Sequence, residues 1–180
     1  MQEFPNFIED IDRFVHRFAG AQLCYGLIVD AITNETIDYI AIRRLQNSYA
    51  DIVTRRAWTE LDDIFVPDIS VVIDRRTDTP LQLTGPRAVG EFIGGAIAHM
   101  DFFEFVILNT VVFLNANGDS DRATARMYIN ELRHEDRVRF THAYGLYDDD
   151  YRRIDDRWWF AARRYRSLAR TARDFDVFGL

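Results

Sequence analysis

Apolar residues recur with a helical period in the first part of the chain and with a strand period in the rest. Phe4, Phe7, Ile8, Ile11, Phe14, Val15 and Phe18 fall at i, i+3, i+4 and i+7 spacing, with Asp10, Asp12, Arg13 and Arg17 opposite them. This predicts an amphipathic helix over residues 5–18 that stops at Gly20. Residues 21–32 form an apolar run too short to classify by period. Asn34 or Thr36 can cap a second helix over 36–53, whose apolar stripe is Ile37, Ile40, Ala41, Leu45, Tyr49, Ile52 and Val53. A third, short helix over 58–65 carries Trp58, Leu61, Ile64 and Phe65 and ends at Pro67. Residues 69–74 read as a strand, and Asp78, Pro80, Gly85 and Pro86 mark a loop. Helix returns over 86–98, with Pro86 in its first turn and Val89, Phe92, Ile93 and Ile97 on one side. From there the pattern is all strand. A long apolar strand over 102–114 bends near Asn109, and a turn over 115–121 leads into alternating segments at 122–134, 138–153 and 158–168.

Helices first, then a run of antiparallel strands, predict an α+β fold. A strongly curved sheet wrapped around a long helix makes a cone with one apolar pocket. The last residues, 171–180, read as a flexible tail. A chain of 180 residues makes one domain of ordinary size, able to bury about 70% of its unfolded surface.

Composition removes several chemistries. All 22 basic residues are arginines, so there is no lysine for a Schiff base or a phosphate loop. The net charge of -7 opposes a nucleic-acid partner or an anionic membrane surface, and neither is expected. Cys24 is the single cysteine, which excludes an internal disulfide and reads as a buried structural thiol. His16, His99, His134 and His142 are scattered without metal-ligand spacing. No glycine-rich phosphate loop or nucleophile elbow occurs, so no metal and no cofactor is expected. No apolar run reaches membrane-spanning length, and the acidic N-terminus is unlike a signal peptide; a cytoplasmic protein is expected.

Several segments, taken in order, resemble the nuclear transport factor 2-like superfamily, and within it the SnoaL-like group. IAIRRLQNSYADIV followed by WTELDDIFVPD resembles the first two helices and the residues leading into the first strand. LTGPRAVGEFI resembles the next helix opening. VVFLNANGDSDRATARMYI resembles the family's Asp-Gly hairpin, and GLYDDDYRRIDDRWWFAARR its closing hairpin. The resemblance spans residues 37–168. It implies a cone-shaped barrel of curved antiparallel sheet wrapped around helices. Residues 1–35 would be an N-terminal helical extension, 36–170 the SnoaL-like domain and 171–180 the tail. Members of this superfamily include polyketide cyclases, steroid isomerases, dehydratases, a dehydrochlorinase, epoxide hydrolases and dioxygenase small subunits; others only bind or dimerise.

The resemblance also implies site residues. Dehydratase-like members carry a Tyr on the first helix, an Asp five residues later, and a His at the start of the long strand. Tyr49 matches the Tyr, but Thr54 and Phe105 stand at the Asp and His positions. His99 and Asp101 would take over in a different register; otherwise His99 decorates a helix C-terminus, where a cation suits the dipole. In the steroid-isomerase arrangement Tyr49 again fits the Tyr, and Asp149 falls near an acidic oxyanion donor. The base position there falls near Ile73, with Asp74 one residue off and facing the other way. Strand alternation puts Tyr147, Asp149 and Tyr151 on one face and Asp148 and Asp150 on the other.

The candidate catalytic residues are therefore Tyr49 and Asp149. Thr54, Trp58, Phe105, Met127, Tyr147 and Trp158 are candidate pocket residues, with Phe102 as further core or lining. Tyr49 equally suits a core tyrosine with a satisfied hydroxyl. Either Asn130 or Glu131 faces inward, and His142 and Arg164 are additional polar candidates. Two functions follow. One is a cofactor-free isomerase, lyase (dehydratase) or cyclase acting on a hydrophobic, polyketide- or steroid-like small molecule. The other is a non-catalytic binding or accessory subunit, favoured by Thr54 and Phe105. A homodimer is expected, with Trp159, Arg163 and Tyr165 on the exposed face of the last strand.

Overall fold

A computed structural model describes residues 33–76, 79–135, 137, 139–171 and 176–177. The helix expected at 5–18, the apolar run at 21–32 and Cys24 lie outside the described residues. The chain divides into two compact units, Met1–Asp38 and Tyr39–Leu180. Apart from the first residues of the first described helix, everything that follows lies in the second unit.

Helix α1 spans residues 33–55. Its buried stripe is Ile42, Leu45, Gln46, Tyr49, Ile52 and Val53, spaced i, i+3, i+4, i+7. Ile37 and Ile40, expected on that stripe, are exposed, and Ile42 is buried instead. One polar residue, Gln46, sits on the buried face. The third helix is a tighter 3-10 turn, Trp58–Asp63. Strand β1 (Phe65–Ile73) begins earlier than expected, and a four-residue strand, β2 (Leu81–Thr84), occupies what the pattern marked as loop. Four residues give alternation too little length to register. Helix α2 (Pro86–Ile97) follows with Pro86 in its first turn. The remaining strands are β3 (Met100–Leu114), β4 (Arg122–Glu135), β5 (Arg139–Ile154) and β6 (Arg157–Arg170). Asp155 and Asp156 both adopt positive φ (49° and 59°), as the tight two-residue turn between β5 and β6 requires. Within the segment expected to be a tail, Asp176–Val177 pairs with β6 as β7.

These strands form one sheet in the order β2-β1-β6-β5-β4-β3, with β7 also on β6. All neighbours are antiparallel except β1 and β6. The architecture is the α+β arrangement expected. Side chains from α1, β1, α2 and the inner sheet face form one core.

Bulges set which residues face that core. In β3, Met100 pairs with Glu135 and Phe102 with His134, so Asp101 is an extra residue. Phe102, expected in the core, is consequently 44% exposed, and Phe103 takes the inward place. Leu108 is extra between Ile107 and Asn109, where a bend was expected. In β6, Tyr151 pairs with Phe160 and Asp150 with Ala162, so Ala161 is extra. A single inserted residue exchanges the two faces of a strand. Trp158 and Phe160 are buried before the bulge, and Arg163, Tyr165 and Ser167 after it. The expectation that Arg163 and Tyr165 are exposed is overturned by this one residue.

Gly145 of β5 lies under the Tyr165 ring. A Cβ there would stand 2.3 Å from a ring carbon of Tyr165. Gly145→Ala is expected to cost about 1–3 kcal/mol through overpacking, read as a lower urea midpoint with an unchanged slope.

Candidate functional site

A cavity of about 430 Å³ opens between α1, α2 and the inner sheet face. That volume falls within the range of small-molecule sites. Its apolar walls come from Val53 of α1, Val71 of β1, Phe92 and Ile93 of α2, and Phe103 and Phe105 of β3. Most of its polar groups come from the sheet, and Asp74, Arg75 and His99 come from the loops at its mouth. Glu131, Arg133 and Glu135 are alternate residues of β4; Tyr147 belongs to β5; Arg163, Tyr165 and Arg170 belong to β6. Tyr49 of α1 completes this group.

Beside the cavity is a buried ion pair. The Arg163 and Asp149 side chains are 1% and 0% exposed. Arg163 Nε donates to Asp149 Oδ1 at 2.8 Å and Nη2 donates to Oδ2 at 3.2 Å, a two-pronged pairing. Tyr151 Oη donates to Asp149 Oδ2 at 3.1 Å. Gln46 Nε2 donates to Tyr151 Oη at 2.9 Å, and Arg43 Nη1 to Gln46 Oε1 at 2.7 Å. This chain accounts for the polar residue on the α1 stripe. The guanidinium also lies over aromatic faces, 3.9 Å from the Tyr49 ring centre, 4.1 Å from Tyr147 and 4.5 Å from Phe160. Such contacts stabilise a desolvated cation. Burial pushes the Asp149 carboxyl above its ordinary value, and the Arg163 charge pulls against that rise.

The phenols around this pair are strong holders of their protons. Burial raises Tyr49 above its ordinary 10.0, outweighing the Arg163 cation and a hydrogen bond with Tyr147. Burial raises Tyr147 and Tyr151 well above that value, and the neighbouring charge on Asp149 adds to the rise at Tyr151. Tyr165 is raised by burial and by the charge of Glu131. At neutral pH all four are hydrogen-bond donors and none is a base.

Of the sequence-derived candidates, Tyr49, His99, Phe105, Glu131 and Tyr147 line the cavity. Asp149 does not line it: its oxygens are taken by Arg163 and Tyr151. Thr54 turns its hydroxyl to accept the Phe105 backbone N–H at 3.0 Å. Trp58 packs on α2, where a Cβ on Gly94 would meet its indole nitrogen at 3.1 Å. Met127 and Trp158 are core, and the Arg153 guanidinium lies 4.7 Å over the Trp158 ring. His99 and Asp101 do not form a pair. His99 approaches Glu135 at 3.9 Å, and Asp101 approaches His134 at 3.8 Å across the Asp101 bulge. Asp74 lies at the cavity edge, its carboxyl held low by the Arg76 backbone N–H. Asn130 faces away, 3.3 Å from His142. Arg164 is exposed on the outer face.

Glu131 is therefore the inward residue of its pair. Its side chain is 13% exposed and is held by Arg133, whose Nε donates to Oε2 at 3.0 Å. The alternation of buried Ala123, Ala125, Met127 and Ile129 selects it when extended by one step. Among the described residues, no group of three or more His, Cys, Asp or Glu is placed to hold a metal ion. No described helix is long and apolar enough to cross a membrane.

Residues 34–164 match the SnoaL-like domain family. No curated protein sequence matches the chain. Solved structures share the fold. A proposed scytalone dehydratase from Novosphingobium aromaticivorans superposes with TM-score 0.65 at 20% identity, over 76% of this chain and 88% of that one. A hexachlorocyclohexane dehydrochlorinase, LinA-type3 from Novosphingobium barchaimii, gives TM-score 0.66 at 16% identity, over 76% and 90%. An NTF2-like protein with a cystatin-like fold from Novosphingobium aromaticivorans gives 0.65 at 18%, over 78% and 88%. At these identities the likeness establishes the fold.

Proposed function

This chain belongs to the SnoaL-like domain family, and from that premise we propose that it is a cofactor-free proton-transfer enzyme, an isomerase, lyase or cyclase acting on a hydrophobic small molecule. The observation that carries this is the grouping of Tyr49, Tyr147 and Glu131 in the wall of one apolar cavity. Its polar groups divide into donors, the phenols and guanidiniums, and acceptors, the carboxylates. The phenols stay protonated, so they can bind an oxygen on which charge develops. With Tyr147 donating to Tyr49, the Tyr49 proton is directed at the substrate. Each lining carboxylate touches an arginine; Glu135 is lowered by its bond to Arg139 and Asp74 by the Arg76 backbone N–H. Glu131 is the lining carboxylate whose charge acts on Tyr49, Tyr147 and Tyr165, and we assign it the proton abstraction. It takes a proton from the carbon next to a carbonyl, Tyr49 stabilises the enolate oxygen, and the proton returns at a neighbouring atom or a leaving group departs. Asp149 is assigned a positioning role: it fixes Arg163 against Tyr49 and Tyr147. Homodimerisation through the outer sheet face and a cytoplasmic location belong to the same proposal.

One observation favours a second reading, non-catalytic binding. Thr54 and Phe105 stand where family members carry an Asp and a His, and here they bond each other for structure. Solvent-deuterium exchange separates the two. The protein is mixed in D₂O with 1-tetralone, an apolar cyclic ketone, and exchange beside the carbonyl is followed by NMR. Acceleration over buffer is expected, with Glu131→Gln slower by about 10²–10⁴-fold and Tyr49→Phe by about 10²–10³-fold. A ketone that binds but exchanges no faster than in buffer, or exchanges equally in Glu131→Gln, would leave the binding reading in its place.

A further inference from the structure

Building on the acid–base reading above, we infer that the ligand of this cavity carries a carboxylate, and that Arg163 Nη1 receives it. Two of the three guanidinium nitrogens of Arg163 are committed to Asp149. The third, Nη1, is buried and has no hydrogen-bond partner. Arg163 itself forms part of the cavity wall. A buried donor without an acceptor costs free energy that a ligand can recover, and an anionic acceptor recovers more than a neutral one. The residue is also fixed: Asp149 grips one edge and the rings of Tyr49 and Tyr147 hold its faces. Little ordering entropy is then left to lose when the ligand arrives.

The charge around the cavity agrees. The chain as a whole carries -7. The cavity lining nonetheless holds four arginines, Arg75, Arg133, Arg163 and Arg170, against three carboxylates, Asp74, Glu131 and Glu135. With Asp149 behind Arg163 the charges balance four against four, so the cavity lacks the negative excess of the whole chain and opposes an anionic ligand less than the overall field does. The remaining wall is apolar, so the ligand class is an apolar acid. Its carboxylate acts as a handle, while Tyr49 and Glu131 work on a carbonyl elsewhere in the molecule.

The test compares 2-naphthoate with 2-naphthamide, equal in shape and different in charge, by calorimetry at neutral pH. The carboxylate is expected to bind at least about tenfold more tightly. Equal or weaker binding of the carboxylate, or no binding of either probe, would overturn the inference. Three controls locate the effect. Arg75→Gln and Arg170→Gln alter other arginines of the cavity, and Arg126→Gln alters a hollow on the outer sheet face that also borders Arg163. Each is expected to keep the larger part of the preference, and complete loss of it in any one assigns the carboxylate elsewhere. The paired change Arg163→Met with Asp149→Leu removes both buried charges together. It is expected to bind the two probes within about twofold of each other; a retained preference counts against Arg163. Should that variant not fold, the wild-type comparison and the three controls decide. Deuterium exchange plays no part in this readout, so failure of the enzyme reading and failure of this inference are distinguishable.

Discussion

Raising the pH above 10 is expected to destabilise this protein steeply. Tyr49, Tyr147, Tyr151 and Tyr165 all hold their protons above the ordinary phenol value of 10.0 in the folded state. In the unfolded chain they ionise at the ordinary value. Above pH 10 the folded state therefore binds more protons than the unfolded one, and stability falls as pH rises. Each such phenol contributes about 1.4 kcal/mol per pH unit, so four contribute roughly 5–6 kcal/mol per unit until they ionise in the fold. The composition makes this measurement unusually clean. The chain has no lysine, the group that would otherwise titrate in the same range. Urea denaturation at intervals from about pH 9 to 11.5 gives the slope. Tyr147→Phe is expected to flatten it by about 1.4 kcal/mol per unit. A slope equivalent to one phenol or fewer would mean that the cluster is hydrated and that its hydroxyls do not serve as locked donors.

Asp149→Ala is expected to cost about 3–5 kcal/mol, because it leaves the Arg163 cation buried without its counter-charge. That is a large part of the 5–15 kcal/mol typical of a domain. The loss extends beyond one bond, since Tyr151 and Gln46 are joined to the same carboxylate. The double change Asp149→Leu with Arg163→Met is expected to recover most of it, since apolar groups of similar volume often replace a buried ion pair without loss. A double-mutant cycle measured by urea denaturation checks this. A cost for Asp149→Ala below about 1 kcal/mol would show that water reaches the pair.

Much of the fold could be read from the sequence because its elements are long and strongly periodic. α1, α2 and β3 to β6 fall close to their expected ranges, and the bend near Asn109 corresponds to the extra residue Leu108. β2 was missed because four residues carry too little pattern. The site was less legible, for a definite reason. Alternation counted from Trp158 puts Arg163 outward, and Ala161 reverses that count. Nothing in the Ala161-Ala162 pair signals which strand holds the additional residue. Alternation groups Asp149 with Tyr147 and Tyr151, and all three are buried, but the pattern names no partner for the carboxylate, so its commitment to Arg163 is hidden from it. Glu131 was within reach of the pattern, since it continues a buried alternation from Ala123. The alternation loses its apolar signal beyond Ile129, since Glu131, Arg133 and Glu135 are all charged.

A crystal soaked with 1-tetralone shows most directly how a carbonyl compound sits in the cavity. The predicted result places the carbonyl oxygen within about 3.2 Å of the Tyr49 or Tyr147 hydroxyl, with a Glu131 oxygen facing the carbon beside it. Tetralone bound with its carbonyl turned away from both hydroxyls, or occupying the outer sheet face with the cavity left unliganded, would contradict it.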